Sequence, residues 1–152
     1  MRLLSIAFLT ISFLATSVFA DGHNKTLTVA DGWVRLTPPV VENTAGYFKL
    51  TNDTKETLTL IGAETSVAKM AEFHDMVNDN GAMSMQHIPE LTLKPGESIM
   101  FRPGGKHLMF MGLKKPLKEA QMVDVTFVYK SGKKQSLTLP VKRQEMKMQH
   151  KH

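Results

Sequence analysis

Residues 123–141 read VDVTFVYKSGKKQSLTLPV, two runs with a turn between them. From Val123 to Tyr129 apolar side chains recur at every second position, the period of a strand with one face buried. Ser131-Gly132-Lys133-Lys134 carries the polar, glycine-containing chemistry of a tight connection. Ser136 to Val141 then resumes as a second strand, which makes the stretch a hairpin.

The same pattern extends upstream. Leu27-Thr28-Val29, Trp33 to Leu36, Gly46 to Thr51, Thr57 to Ile61, Lys69 to Met76, Met83 to Ile88, Ser98 to Phe101 and Leu108 to Leu113 are further candidate strands. Turn signals separate them: Pro38-Pro39, Asn52-Asp53, Asn78-Asp79-Asn80-Gly81, Lys94-Pro95-Gly96-Glu97 and Pro103-Gly104-Gly105. Short strands with turns every eight to twelve residues predict an all-β sandwich or barrel. No window beyond the first 20 residues has strong helical periodicity, and no repeat or linker divides the chain. A length of 152 residues fits one domain.

The ends read differently. Arg2, the apolar run Leu3 to Val18 and Val18-Phe19-Ala20 form a secretory signal peptide over residues 1–20, with cleavage after Ala20. No stable membrane insertion is expected after cleavage, because the run is short for a span. The globular domain is placed at 21–141. Residues 142–152 lack an apolar pattern and are predicted to form a flexible tail.

Composition narrows the chemistry. The chain is 42% hydrophobic and 22% charged, as globular domains are. It contains no cysteine, which removes disulfides, thiolate zinc and iron–sulfur sites, blue-copper ligation and a lipid-bearing cysteine. The net charge of +5 is mostly a property of the tail, where Lys142, Arg143, Lys147 and Lys151 outnumber Glu145. A nearly neutral body argues against nucleic-acid binding. No phosphate-binding glycine loop or nucleophilic serine motif is present, and the carboxylates are scattered, although Glu72 and Asp75 flank His74. The chain is not expected to be an enzyme.

Eleven methionines and six histidines carry the remaining signal. His74 with Met76, Met83-x-Met85-x-His87 and His107-x-Met109-x-Met111 each have period-two spacing, so each cluster projects to one face of its strand. The first two flank a turn and should pair as a hairpin. A turn centred on Asp79-Asn80 sets His74 opposite Met85. One centred on Asn80-Gly81, which suits a two-residue loop better, sets His74 opposite His87 and Met76 opposite Met85. Imidazole plus thioether is a soft, neutral donor set suited to Cu(I). Thioethers need no deprotonation, so such a site keeps much of its affinity at mildly acid pH. Met100 and Met122, and with them Met70, are expected to be packing residues.

The strings HDMVNDNGAMSM and KPGESIMFRPGGKHLMFMGLKKPLKEA resemble the periplasmic copper chaperone family called PCuAC. Its signature is His, ten residues, Met, twenty-one residues, then His-x-Met, and His74, Met85, His107 and Met109 match it position by position. The DGWVRLTPP and GYFKLTN stretches are similar to the family's first strands, so the resemblance covers about Val29 to Val141. It implies a cupredoxin-like β-sandwich or barrel with an exposed Cu(I) site made by those four residues. It also implies copper delivery to cytochrome c oxidase assembly, with the oxidase copper subunit or a Sco-type protein as partner, in the periplasm. It favours the register in which His74 faces Met85. Met76, Met83, His87 and Met111 lie outside the signature. The same ligands would also serve a copper sequestration or resistance protein.

Two auxiliary copper sites are predicted. Met146, Met148, His150 and His152 make the tail a candidate second site, including for Cu(II). Cleavage after Ala20 would expose Asp21-Gly22-His23, whose amine, two amide nitrogens and His23 imidazole suit square-planar Cu(II).

Overall fold

The computed structural model describes residues 26–144. Ten strands occur in that span, with no helix. They are β1 (Leu27–Arg35), β2 (Asn43–Asn52), β3 (Leu58–Thr65), β4 (Ala68–Asp79), β5 (Ala82–His87), β6 (Leu91–Leu93), β7 (Ser98–Phe101), β8 (His107–Leu113), β9 (Met122–Tyr129) and β10 (Lys134–Lys142).

Seven strands close a barrel in the order β4-β8-β2-β1-β10-β9-β3, and β3 returns to β4. The β1–β10 contact is parallel and the other pairings are antiparallel. β5, β6 and β7 attach to β4, β3 and β2 outside the ring. Closure removes the exposed edges that an open sheet of this size would carry.

Alternation explains the core. Val123, Val125, Phe127 and Tyr129 on β9, Leu108 and Phe110 on β8, and Ala71 and Phe73 on β4 all point inward and are buried. At the centre Phe48, Phe73, Phe101 and Phe127 form a ring of tilted and stacked contacts with centroids 4.5–5.9 Å apart. Outward parity leaves Met70, Met100 and Met122 more than half exposed. These three methionines therefore do not pack the core. Each neighbours a buried residue in sequence (Ala71, Phe101 and Val123), and a strand cannot turn both inward.

Some elements differ from the pattern reading. β1 is one strand, not two runs. A register shift between Ala30 and Trp33, with Asp31 at φ 54°, is a bulge that interrupts its alternation. Leu91–Leu93 is a strand too short to show a period. β4 is the long element, and its last residues leave β8 behind. His74 is the last β4 residue paired with β8 and the first paired with β5. The segment from His74 to His87 is therefore a hairpin arm extending from the barrel.

Tyr47 and Tyr129 are both buried, and burial raises each phenol above its ordinary value of 10.0. The Arg35 guanidinium, which donates to the Tyr47 hydroxyl, partly offsets the effect at Tyr47. The unfolded chain then loses these protons at lower pH than the folded one. Stability should hold up to about pH 10 and fall as pH rises through the folded values. Urea midpoints measured from pH 8 to 11.5 should show that decline, and it should be shallower in Tyr47→Phe.

Candidate metal centre

The site lies on the outer face of β5, β4, β8 and β2. β4 turns Phe73 inward, so Glu72, His74 and Met76 face outward, and β8 turns Leu108 and Phe110 inward, so His107, Met109 and Met111 do too. The strand registers then assemble rows across the sheet. His87, His74 and His107 are directly opposed in one row. Met85 faces Met76 one row toward the arm tip. Met109 faces Glu72 one row the other way, and Met111 faces Met70 beyond that. Trp33 and Tyr47 are paired on β1 and β2, with ring centroids 4.8 Å apart, on the far side of β8.

The hairpin register corrects one expectation. His74 faces His87, not Met85. Asp79 pairs with Ala82 across Asn80-Gly81, and both loop residues have positive φ, 50° and 89°. A two-residue loop of this kind needs left-handed backbone at both positions, which Asn and Gly tolerate. The Asn78 side-chain oxygen accepts from Gly81 N at 2.8 Å and completes the turn. Met85 is consequently a diagonal neighbour of His74, as is Met109 from the other side. Long side chains can span such diagonals.

The imidazoles are individually oriented. The His107 Nδ1–H donates to the Gly105 carbonyl at 2.9 Å, and the residue is 5% exposed. That bond leaves Nε2 as its free donor atom. His74 Nε2 lies 3.1 Å from Glu72 Oε2, while His74 Nδ1 is buried and has no partner. A carboxylate holding one ring nitrogen while the other stays free is how metal-binding histidines are commonly oriented. An unpartnered buried nitrogen is otherwise costly. His87 Nε2 lies 3.9 Å from the same Glu72 oxygen. Behind the arm Lys106 pairs with Asp75 and ties the Gly104-Gly105 turn to β4.

Among the described residues no three His, Asp or Glu side chains gather to hold a metal by themselves. Thioethers would have to complete the set, and they are at hand. Met85 is half-exposed and Met109 partly buried. His87 is the residue that the spacing signature omits. Its signal was present in the sequence, since an Asn-Gly loop at 80–81 puts it opposite His74. The larger cleft, lined by Lys55, Tyr129 and Lys133 among others, has no soft donors. His23 and the tail residues Met146, Met148, His150 and His152 lie outside the described residues.

Known proteins resemble this chain in sequence and in fold. Residues 27–141 match the family described as "Putative lipoprotein LpqE-like". The chain belongs to the LpqE-like family. One relative, "Putative lipoprotein Lxx21020" of Leifsonia xyli, is 32% identical over 124 residues, spanning 81% of this chain and 71% of that one. Among solved structures, the copper-bound PCuAC domain from PmoF2 superposes with a TM-score of 0.64 at 16% identity, covering 78% of this chain and 93% of the domain. The solution structure of Cu(I)-DR1885 from Deinococcus radiodurans gives 0.62 at 28% identity, covering 81% and 83%. The fold of this LpqE-like chain is that of the PCuAC domains: an all-β single domain built on a closed barrel.

Proposed function

We propose that the chain is a periplasmic copper chaperone that carries Cu(I) on His74, Met85, His107 and Met109 and delivers it to cytochrome c oxidase assembly. The observation that carries this reading is the outer-face grouping itself. His74 and His107 are directly opposed, each has a free ring nitrogen, and a thioether sits on either flank. The likeness to Cu(I)-DR1885 supports the metal and its oxidation state. The donor set supports it chemically, since neutral imidazole and thioether prefer Cu(I) to zinc or hard cations. The signal-peptide pattern at 1–20 supports export. The role is non-enzymatic. The acceptor is the oxidase copper subunit or a Sco-type protein. His23 and the tail residues are auxiliary ligands, with Cu(II) as their metal.

The test is an anaerobic Cu(I) competition titration against a chromophoric chelator, using the exported chain with its tail donors replaced (Met146→Leu, Met148→Leu, His150→Ala, His152→Ala). One tight equivalent is expected. It should be absent when His74, Met85, His107 and Met109 are also replaced. Equal binding by both proteins would sink the proposed site. Delivery is separated from sequestration in a deletion strain grown under copper limitation. Loss of oxidase activity, restored by copper supplementation, is the chaperone result, whereas copper sensitivity with normal oxidase activity is the sequestration result.

A further inference from the structure

The four signature residues are not equidistant from any one point on the face. Met85 lies in the row of Met76 on the β5 side, and Met109 in the row of Glu72 on the β8 side. Strand spacing and rise put their backbones roughly 16 Å apart, before curvature of the barrel's convex face is added. Each is a diagonal neighbour of His74 and neither is a neighbour of the other. The imidazoles divide the same way. His74 is 5.5 Å from His87 and 5.9 Å from His107, centroid to centroid. Metal–nitrogen bonds of about 2 Å allow two imidazoles on one metal to have centroids up to roughly 6 Å apart. Each adjacent pair is therefore within the span that one metal can bridge. His87 and His107 are two strands apart, roughly 10 Å, and are not.

We infer that the face holds copper in two overlapping positions that share His74, with His87 as a ligand of the outer one. The outer position is His87, His74 and Met85, and the inner is His74, His107 and Met109. The inference rests on the copper-carrier reading and deepens it. Exposure supplies a direction. The side chain of His87 is 49% exposed and that of His74 12%, while His107 is 5% exposed as a residue. An open cleft of about 380 Å³ reaches the His87 end and is lined by Glu72, His87 and Met70. Metal arriving there meets the exposed donors first. Passage inward breaks the bonds to His87 nitrogen and Met85 sulfur and forms those to His107 Nε2 and Met109 sulfur. His74 stays bound throughout, the metal remains Cu(I), and no proton or electron moves. A ligand shared between two positions avoids releasing the metal to water between them. Glu72, within 3.9 Å of both His74 and His87, is placed to orient the two rings of the outer position.

The experiment adds Cu(I) anaerobically to the exported chain and follows each histidine ring by long-range proton–nitrogen correlation, which resolves the body from the tail. In the wild type His74 and His107 should shift below one equivalent. In His107→Ala/Met109→Leu the metal should move to His87 and Met85, with affinity lowered at least tenfold, and adding His87→Ala should abolish the shifts at His74. If alanine at the buried position 107 costs the fold, His107→Gln keeps a hydrogen-bonding side chain for the same comparison. His87→Ala alone should slow uptake from the chelator at least fivefold, a larger effect than on the equilibrium constant. A silent His87 in the double variant, with His74 and His107 responding in the wild type, overturns the two-position inference and leaves the carrier reading standing. A wild type silent at every body histidine overturns both.

Discussion

Replacing His74 by alanine is expected to lower the Cu(I) affinity of the body by at least a hundredfold, more than any other single substitution on the outer face. His74 is the central ring of the row, opposed to His87 on one side and His107 on the other. Without it the remaining imidazoles, two strands apart, are too far apart to share a metal. Loss of a residue that merely orients a metal ligand commonly costs 10–100-fold, so loss of the shared ligand sets a floor above that range. Folding should change little, by about 1 kcal/mol or less. The deletion removes a bond to Glu72 but also a buried nitrogen that has no partner. The combination of collapsed affinity and preserved urea midpoint is the signature to seek, measured in the background with the tail donors replaced. Affinity within tenfold of the parent would show that His74 does not lie at the centre of the site.

The largest effect on stability is expected one residue away. Phe73→Ala should destabilise the fold by about 3–5 kcal/mol. The ring is 1% exposed and contacts Phe101 and Phe127 at centroid distances of 5.8 and 5.9 Å. Its removal opens a cavity in the middle of a closed barrel, where seven strands paired edge to edge have little freedom to collapse inward. Phe73→Leu should recover part of the loss because it leaves a smaller void. Urea unfolding at neutral pH reads both. A loss below about 1 kcal/mol for the alanine variant would mean that the aromatic cluster is not the core's principal contact. The two predictions separate the faces of one strand, since Phe73 carries stability inward and His74 carries chemistry outward.

That separation is legible in the sequence. Alternation on β9 and β4 announces which residues share a face, and the matched parity of His74, Met85, His107 and Met109 announces a common donor set. The sequence left two hairpin registers open; the one formed is built on the Asn80-Gly81 loop, where both residues are left-handed, as those residue types allow. The family resemblance pointed to the other register and was outweighed by that local requirement. Met70, Met100 and Met122 depart from the packing expectation for a related reason. Composition treats methionine as a core filler, while parity, read against their buried neighbours, puts all three outside.

What alternation determined by itself is local: that these are strands, which side of each is apolar, and which side carries imidazole and thioether. It does so because side chains two residues apart are held on one face by the backbone of the strand alone. Only the tertiary structure decided which strands lie side by side. β8 is the β4 neighbour that brings His107 opposite His74, and the two residues are far apart in the chain. The β3–β4 contact closes the ring, and β1 and β10, at the two ends of the described chain, run parallel. Such pairings are set by burying one shared core in a closed barrel, a property of all the strands together. The row of three imidazoles is one of its consequences.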